Sequence, residues 1–281
     1  MINPDKMKNL IRKKSKEYQI APQQLYSLFG LEQLLIKIEQ SPFKDHFILK
    51  GGFLLSTVYG LENRSTMDLD ATVQNLSLNN HFINRFTEFI NAPDADGNSY
   101  FTVKKIKENR HDFIYPGYNL KLDFEIGTVK IPLDLDFTTG ETLLPTPKTT
   151  IPLLFSDKTV RFPAYPQEQI LADKIFTTLA YGSYDDQNSR AKDLYDIYFL
   201  HKFQSNMDYS LVRKAIAVAN KQRNIDLKIE SFPGIISQLE QSKHQQQLWQ
   251  DFQKNHFYAA NISFRSVFTE IKSALRAIFP K

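Results

Sequence analysis

Apolar residues recur along the chain at two different spacings, and the switches between them mark the predicted elements. Over residues 7–40, Leu10, Ile11, Leu25, Leu28, Leu31, Leu34, Leu35 and Ile38 fall at three- and four-residue steps, the spacing of one helix face. The apolar run at 46–50 is stopped by Gly51 and Gly52, which predicts a strand, with a helix over 53–59 beyond the glycines. Alternation returns at 67–74 (MDLDATVQ), a second strand, and helical spacing at 81–91. Three further strands are predicted at 100–106, 118–126 and 128–136, separated by the turn signals Pro116-Gly117 and Gly127. Five prolines between 140 and 166 predict an extended, wrapped connection without regular helix. From there the pattern is helical: 167–181, 190–203, 211–222, an ill-defined stretch over 235–255, and 262–277. The expected class is mixed α/β, a small mixed sheet followed by an α-helical C-terminal half. The expected domains are 1–160 and 161–281.

Composition narrows the chemistry. With 42% apolar residues, including 22 Phe and 13 Tyr, the chain has the material for a full core and does not read as disordered. It contains no cysteine, which excludes disulfide scaffolds, Cys-ligated zinc and thiol nucleophiles, and fits a reducing cytoplasm. No apolar run reaches the roughly 18 residues of a membrane span, and the lysine-rich start lacks the apolar region of a secretory signal, so a cytoplasmic protein with no membrane partner is expected. Net charge is only +4, and all of the excess lies after residue 159. Lys202, Arg213, Lys214, Lys221, Arg223 and Lys228 form a basic stretch there, either a solvated helical face or a footprint for a polyanion such as RNA.

The segment 50–70, KGGFLLSTVYGLENRSTMDLD, carries the most chemistry. A strand ending in Gly51-Gly52 at a helix start exposes backbone N–H groups where a phosphate can approach closely. Asp68 and Asp70 then sit one residue apart on a predicted strand, so both carboxylates face one way, roughly 6.6 Å apart. Hard divalent cations take such oxygen ligands and share them with substrate phosphates. Each element alone is common in tight turns and at solvent-facing strand ends. Together and in this order they resemble the signature of the polymerase-β-like nucleotidyltransferases. The wording LKGG…RSTMDLD is similar to that of the AbiEii family of type IV toxin nucleotidyltransferases. Phe53 stands where that family usually has Thr or Ser, so by the resemblance one phosphate-binding hydroxyl is either missing here or supplied by Ser56.

Two more blocks extend the resemblance over residues 45–203. Residues 130–145, KIPLDLDFTTGETLLP, match the block that supplies a third acid; the alignment gives Asp134, with Asp136 on the same strand face as the rival choice. Residues 168–200 match the family's pattern around Lys174 and the i, i+3 pair Asp193 and Asp196. Helical spacing puts Lys174 beside the apolar stripe of Leu171 and Thr178, where a lysine must snorkel or pair. Read alone, Lys192 with Asp196 is equally an ordinary surface ion pair.

What the resemblance implies is a polymerase-β-like core whose cleft is completed by the helical half. Asp68, Asp70 and Asp134 would hold Mg²⁺, with Mn²⁺ as an alternative; Gly51, Gly52, Ser56, Arg64, Lys174 and Asp193 would bind the NTP; and Lys174 and Asp196 join the three acids as catalytic residues. It further implies transfer of NMP to the 3′ end of tRNA, a block on aminoacylation and translation, and a cognate antitoxin as partner. Transfer to a protein or to a small molecule such as an antibiotic, and a non-catalytic binding module with this fold, are the other readings.

Overall fold

A computed structural model describes residues 3–60, 68–93, 97, 99–109, 117–182, 190–225 and 227–280. The chain divides into two compact units: Met1–Gly140 with Thr146–Ala164, and Glu141–Pro145 with Tyr165–Lys281.

The first unit is built on a five-stranded mixed sheet. It opens with α1 (Pro4–Tyr18) and α2 (Pro22–Glu39), each with proline in its first turn, where the missing N–H costs nothing. Then come β1 (Phe47–Lys50), α3 (Gly51–Tyr59), β2 (Asp68–Val73), α4 (Asn80–Asn91), β3 (Ser99–Asn109), β4 (Gly117–Ile126) and β5 (Val129–Thr139). The sheet order is β1-β2-β5-β4-β3, with β2 and β5 parallel and every other pair antiparallel. Alternation sorts its faces. Leu69, Ala71, Leu120, Leu122, Leu133, Leu135 and Phe137 are all at most 2% exposed on one of them. The leucines and Phe137 each contribute about 2 kcal/mol when fully buried. Phe47, Phe86 and Phe137 pack together there with ring centroids 4.9–5.2 Å apart. The other face carries the polar residues of β2, β4 and β5.

The structure adds two features to the sequence expectation, a strand pair in the proline-rich connection and a helix break at Ser242. The proline-rich connection contains β6 (Lys148–Pro152) and β7 (Thr159–Pro163), an antiparallel pair. Pro152 and Pro163 end these strands, so they interrupt nothing, and Ile151, Val160 and Phe162 are buried. Buried Glu32 of α2 fixes the link between them, accepting the backbone N–H groups of Leu154 and Phe155.

The second unit is helical: α5 (Gln167–Gly182), α6 (Ala191–Phe203), α7 (Tyr209–Gln222), α8 (Phe232–Gln241), α9 (Lys243–Asn255) and α10 (Phe264–Ile278). The ill-defined stretch resolves into two helices, since Ser242 ends α8 and caps α9 by accepting the Gln245 N–H. No helix among the described residues is long and apolar enough to cross a membrane.

Candidate functional site

The parallel register of β2 and β5 pairs Asp68 with Asp134 and Asp70 with Asp136. Four carboxylates therefore stand in two rows on the polar face of the sheet, on strands about 4.8 Å apart. The rows continue onto the flanking strands. Asp70 is opposite Lys50 on β1, Asp134 opposite Lys121 on β4, and Asp136 opposite Asn119. Lys121 Nζ lies 3.1 Å from Asp134 Oδ1, and Asn119 donates to Asp136 Oδ1 at 3.0 Å. Lys50 reaches across the sheet and donates to Thr138 Oγ1 on β5.

The Gly-Gly turn meets the acids directly. Gly51 has φ +68° and begins α3, with Lys50 extended at the cap position. A Cβ at Gly51 would lie 2.1 Å from Asp70 Oδ2 and 2.9 Å from its Cγ. Only glycine satisfies both the backbone angle and that contact. The start of a helix, with its N–H groups and partial positive charge, is thereby set against the Asp70 carboxylate.

The electrostatics point the same way. The Asp136 carboxyl is pushed above the ordinary carboxylate range, first by burial and then by the negative charge of Asp68 and Asp134, against the Asn119 hydrogen bond and Lys50. Crowded acids of this kind gain from a cation. Their donor set is all oxygen, which suits Mg²⁺ or Mn²⁺. Among the described residues no three acids already converge as a preformed metal cluster; they stand in rows, with Lys121 and Asn119 holding β5's pair.

Other predicted positions fall elsewhere. Ser56 is 1% exposed and donates to the Phe53 carbonyl at 2.8 Å, a bond inside α3, so its hydroxyl is turned into its own helix. Arg64 lies outside the described residues. In the helical unit Lys174 Nζ sits 2.6 Å from Asp193 Oδ1 and 3.0 Å from Asp196 Oδ2. The Asp196 side chain is 1% exposed, whereas Lys192 is exposed, so the half-buried Lys174 pairs with Asp196 in place of the surface lysine. Arg190 NH1 adds a 2.9 Å contact to Asp193 Oδ2 and stacks on Tyr181 at 4.4 Å. Arg213, Lys214 and Lys221 are exposed along α7, and Arg223 lies 5.0 Å from the Phe176 ring. Sequence reasoning left Lys50, Asn119, Lys121 and Arg190 without roles.

Two solved Helicobacter pylori chains resemble this one at low identity. JHP933 matches with 15% identity over 92% of this chain and 93% of its own, at a TM-score of 0.48. A candidate nucleotidyltransferase matches with 14% identity over 92% and 96%, at a TM-score of 0.49. No curated protein matches the sequence. The family model described as "Nucleotidyl transferase AbiEii toxin, Type IV TA system" matches residues 33–270, which takes the likeness well past residue 203, where the motifs stop. The chain belongs to the AbiEii nucleotidyltransferase toxin family of type IV toxin–antitoxin systems.

Proposed function

We propose that this protein transfers NMP from an NTP to the 3′-terminal hydroxyl of tRNA, so that the modified tRNA cannot be aminoacylated and translation stops. The observation that carries the reading is the in-register placement of Asp68, Asp70 and Asp134 beside the Gly51 turn, in a chain of this family. Asp68, Asp70 and Asp134 are the residues that would hold Mg²⁺. When bound, such an ion neutralises charge on the triphosphate and on the departing pyrophosphate. The protein's own residues do the rest. Backbone N–H groups at Gly51 and Gly52 receive a phosphate, and Lys50 and Lys121 offset the acids' charge. Asn119 holds the Asp136 carboxyl and Lys121 that of Asp134; the motif alignment takes Asp134 as the third ligand. The acceptor oxygen bonds to the α-phosphorus, the bond to pyrophosphate breaks, and the hydroxyl proton passes to solvent. The resemblance assigns Lys174 to a nucleotide phosphate, with Asp193 and Asp196 positioning its ammonium.

The test is incubation of the protein with each α-labelled NTP in turn, Mg²⁺ and total tRNA, alongside reactions lacking RNA. Label on tRNA with release of pyrophosphate supports the proposal. Label on the protein itself, or none in any reaction, overturns it. An antitoxin partner and a cytoplasmic location accompany the same reading.

A further inference from the structure

The polar face of the sheet does not end at the carboxylates. Its outer strand, β3, carries a register shift between Val103 and Lys105. Before the shift Thr102 faces Asp123; after it Lys105 faces Lys121 and Lys107 faces Asn119. A bulge reverses which alternate residues point to a given side. Lys105 and Lys107 are therefore turned onto the same face as the acids, which they would otherwise avoid. One row then runs Lys105, Lys121, Asp134, Asp68, and the next Lys107, Asn119, Asp136, Asp70.

The lysines along this face are treated differently at its two ends. Away from the acid rows, Lys130 lies 2.8 Å from Asp123 and 3.5 Å from Glu125, and Lys104 lies 3.6 Å from Asp123. Those charges are neutralised in place. Among the described residues neither Lys105 nor Lys107 forms an ion pair, and both are exposed. Two cations that no described acid neutralises thus stand two strands, about 10 Å, beyond β5, on the side opposite the Gly51 turn. That distance is too far from the turn for the incoming triphosphate and suits the acceptor's own chain.

We propose that Lys105 and Lys107 form a subsite for backbone phosphates of a single-stranded nucleic-acid acceptor, leading its terminal hydroxyl to the carboxylates. This deepens the proposed function and rests on it for the direction of the strand. The probe is a short, fluorescently labelled single-stranded RNA with a free 3′ hydroxyl, whose binding is titrated at several salt concentrations without NTP. Each phosphate contact on a single strand contributes about 0.7 to the slope of log affinity against log salt. The double variant Lys105→Gln/Lys107→Gln should lose about 1.4 of that slope, and Lys105→Arg/Lys107→Arg should keep it. Binding of Mg²⁺ with each NTP should be unchanged.

An unchanged slope, or no RNA binding by the wild type at low salt, overturns the subsite. Loss of NTP binding in the Gln variant reassigns the lysines to the triphosphate and overturns it too. Self-association of the Gln variant with RNA binding intact would mean that the lysines only guard an edge strand. The two failures are separable: transfer without a slope change sinks the subsite alone, and a slope change without transfer sinks the reaction alone.

Discussion

Removing the Lys174 charge tests the helical unit most sharply. Lys174→Met keeps the aliphatic stem beside the apolar stripe and deletes an ammonium 2.6 Å from Asp193 and 3.0 Å from Asp196. The three side chains are 19%, 11% and 1% exposed, so screening by water is limited. Deleting one partner of a buried ion cluster costs about 3–5 kcal/mol, chiefly because the remaining carboxylate keeps its desolvation penalty. In a chain of this size that is about 10 °C in melting temperature. Adding Asp196→Asn to Lys174→Met should recover part of the loss, because an amide needs no cation; a double-mutant cycle by thermal denaturation measures the coupling. Transfer kinetics separate structure from chemistry. If Lys174 meets a nucleotide phosphate, kcat/KM of the restabilised double variant stays well below that of Asp196→Asn alone. Recovery of transfer along with stability would reduce Lys174 to a structural cation, and a melting temperature unchanged in Lys174→Met would refute the ion cluster.

Two other sites give independent outcomes. Burial pushes Glu32 up from 4.5 to about 7, against the hydrogen bonds from Leu154 and Phe155 and the charge of Lys14. Between those values the folded protein binds more protons than the unfolded one, so stability falls as pH rises through the window, by up to about 3 kcal/mol. Glu32→Gln does not titrate; its melting temperature should match wild type near pH 4.5 and exceed it above pH 7, and parallel curves would contradict this. At the acid rows, Asp134→Asn should lose about two orders of magnitude in kcat/KM, while Asp136→Asn loses less and melts higher, because it removes a charge crowded by Asp68 and Asp134. Steady-state transfer and melting curves on both variants decide between the two acids, and the reverse order makes Asp136 the third ligand.

Most of the sheet was legible because its strands alternate and its turns are short. The turn at Gly127 joins Ile126 to Val129, and counting back from it places Lys121 opposite Asp134 and Asn119 opposite Asp136. Those two polar partners were thus readable in principle from the hairpin alone. The parallel pairing of β2 with β5 was not, since a long connection leaves register to tertiary packing. The same limit hid the bulge in β3, where Lys104 and Lys105 look like any polar pair in an edge strand. The prolines at 152 and 163 read as breakers, yet they sit at strand ends, where they cost no ladder hydrogen bond. Ser56 was a phosphate donor only by the family resemblance, and a hydroxyl inside a helix readily bonds a carbonyl of the preceding turn. Lys174 beside its apolar stripe was expected to snorkel or to pair, and it pairs with Asp193 and with the buried Asp196 of α6.

The most direct measurement is NMP transfer by Asp70→Asn, with circular dichroism and melting confirming that the variant is folded. Asp70 touches the Gly51 turn and lies in register with Asp136, so an amide there keeps the shape and removes one of the charges a divalent cation requires. Transfer to tRNA should vanish in the folded variant, and wild-type transfer should vanish on adding EDTA and return with excess Mg²⁺. Near-wild-type transfer by Asp70→Asn, or full wild-type activity in EDTA, would contradict a metal-dependent nucleotidyltransferase site on this sheet.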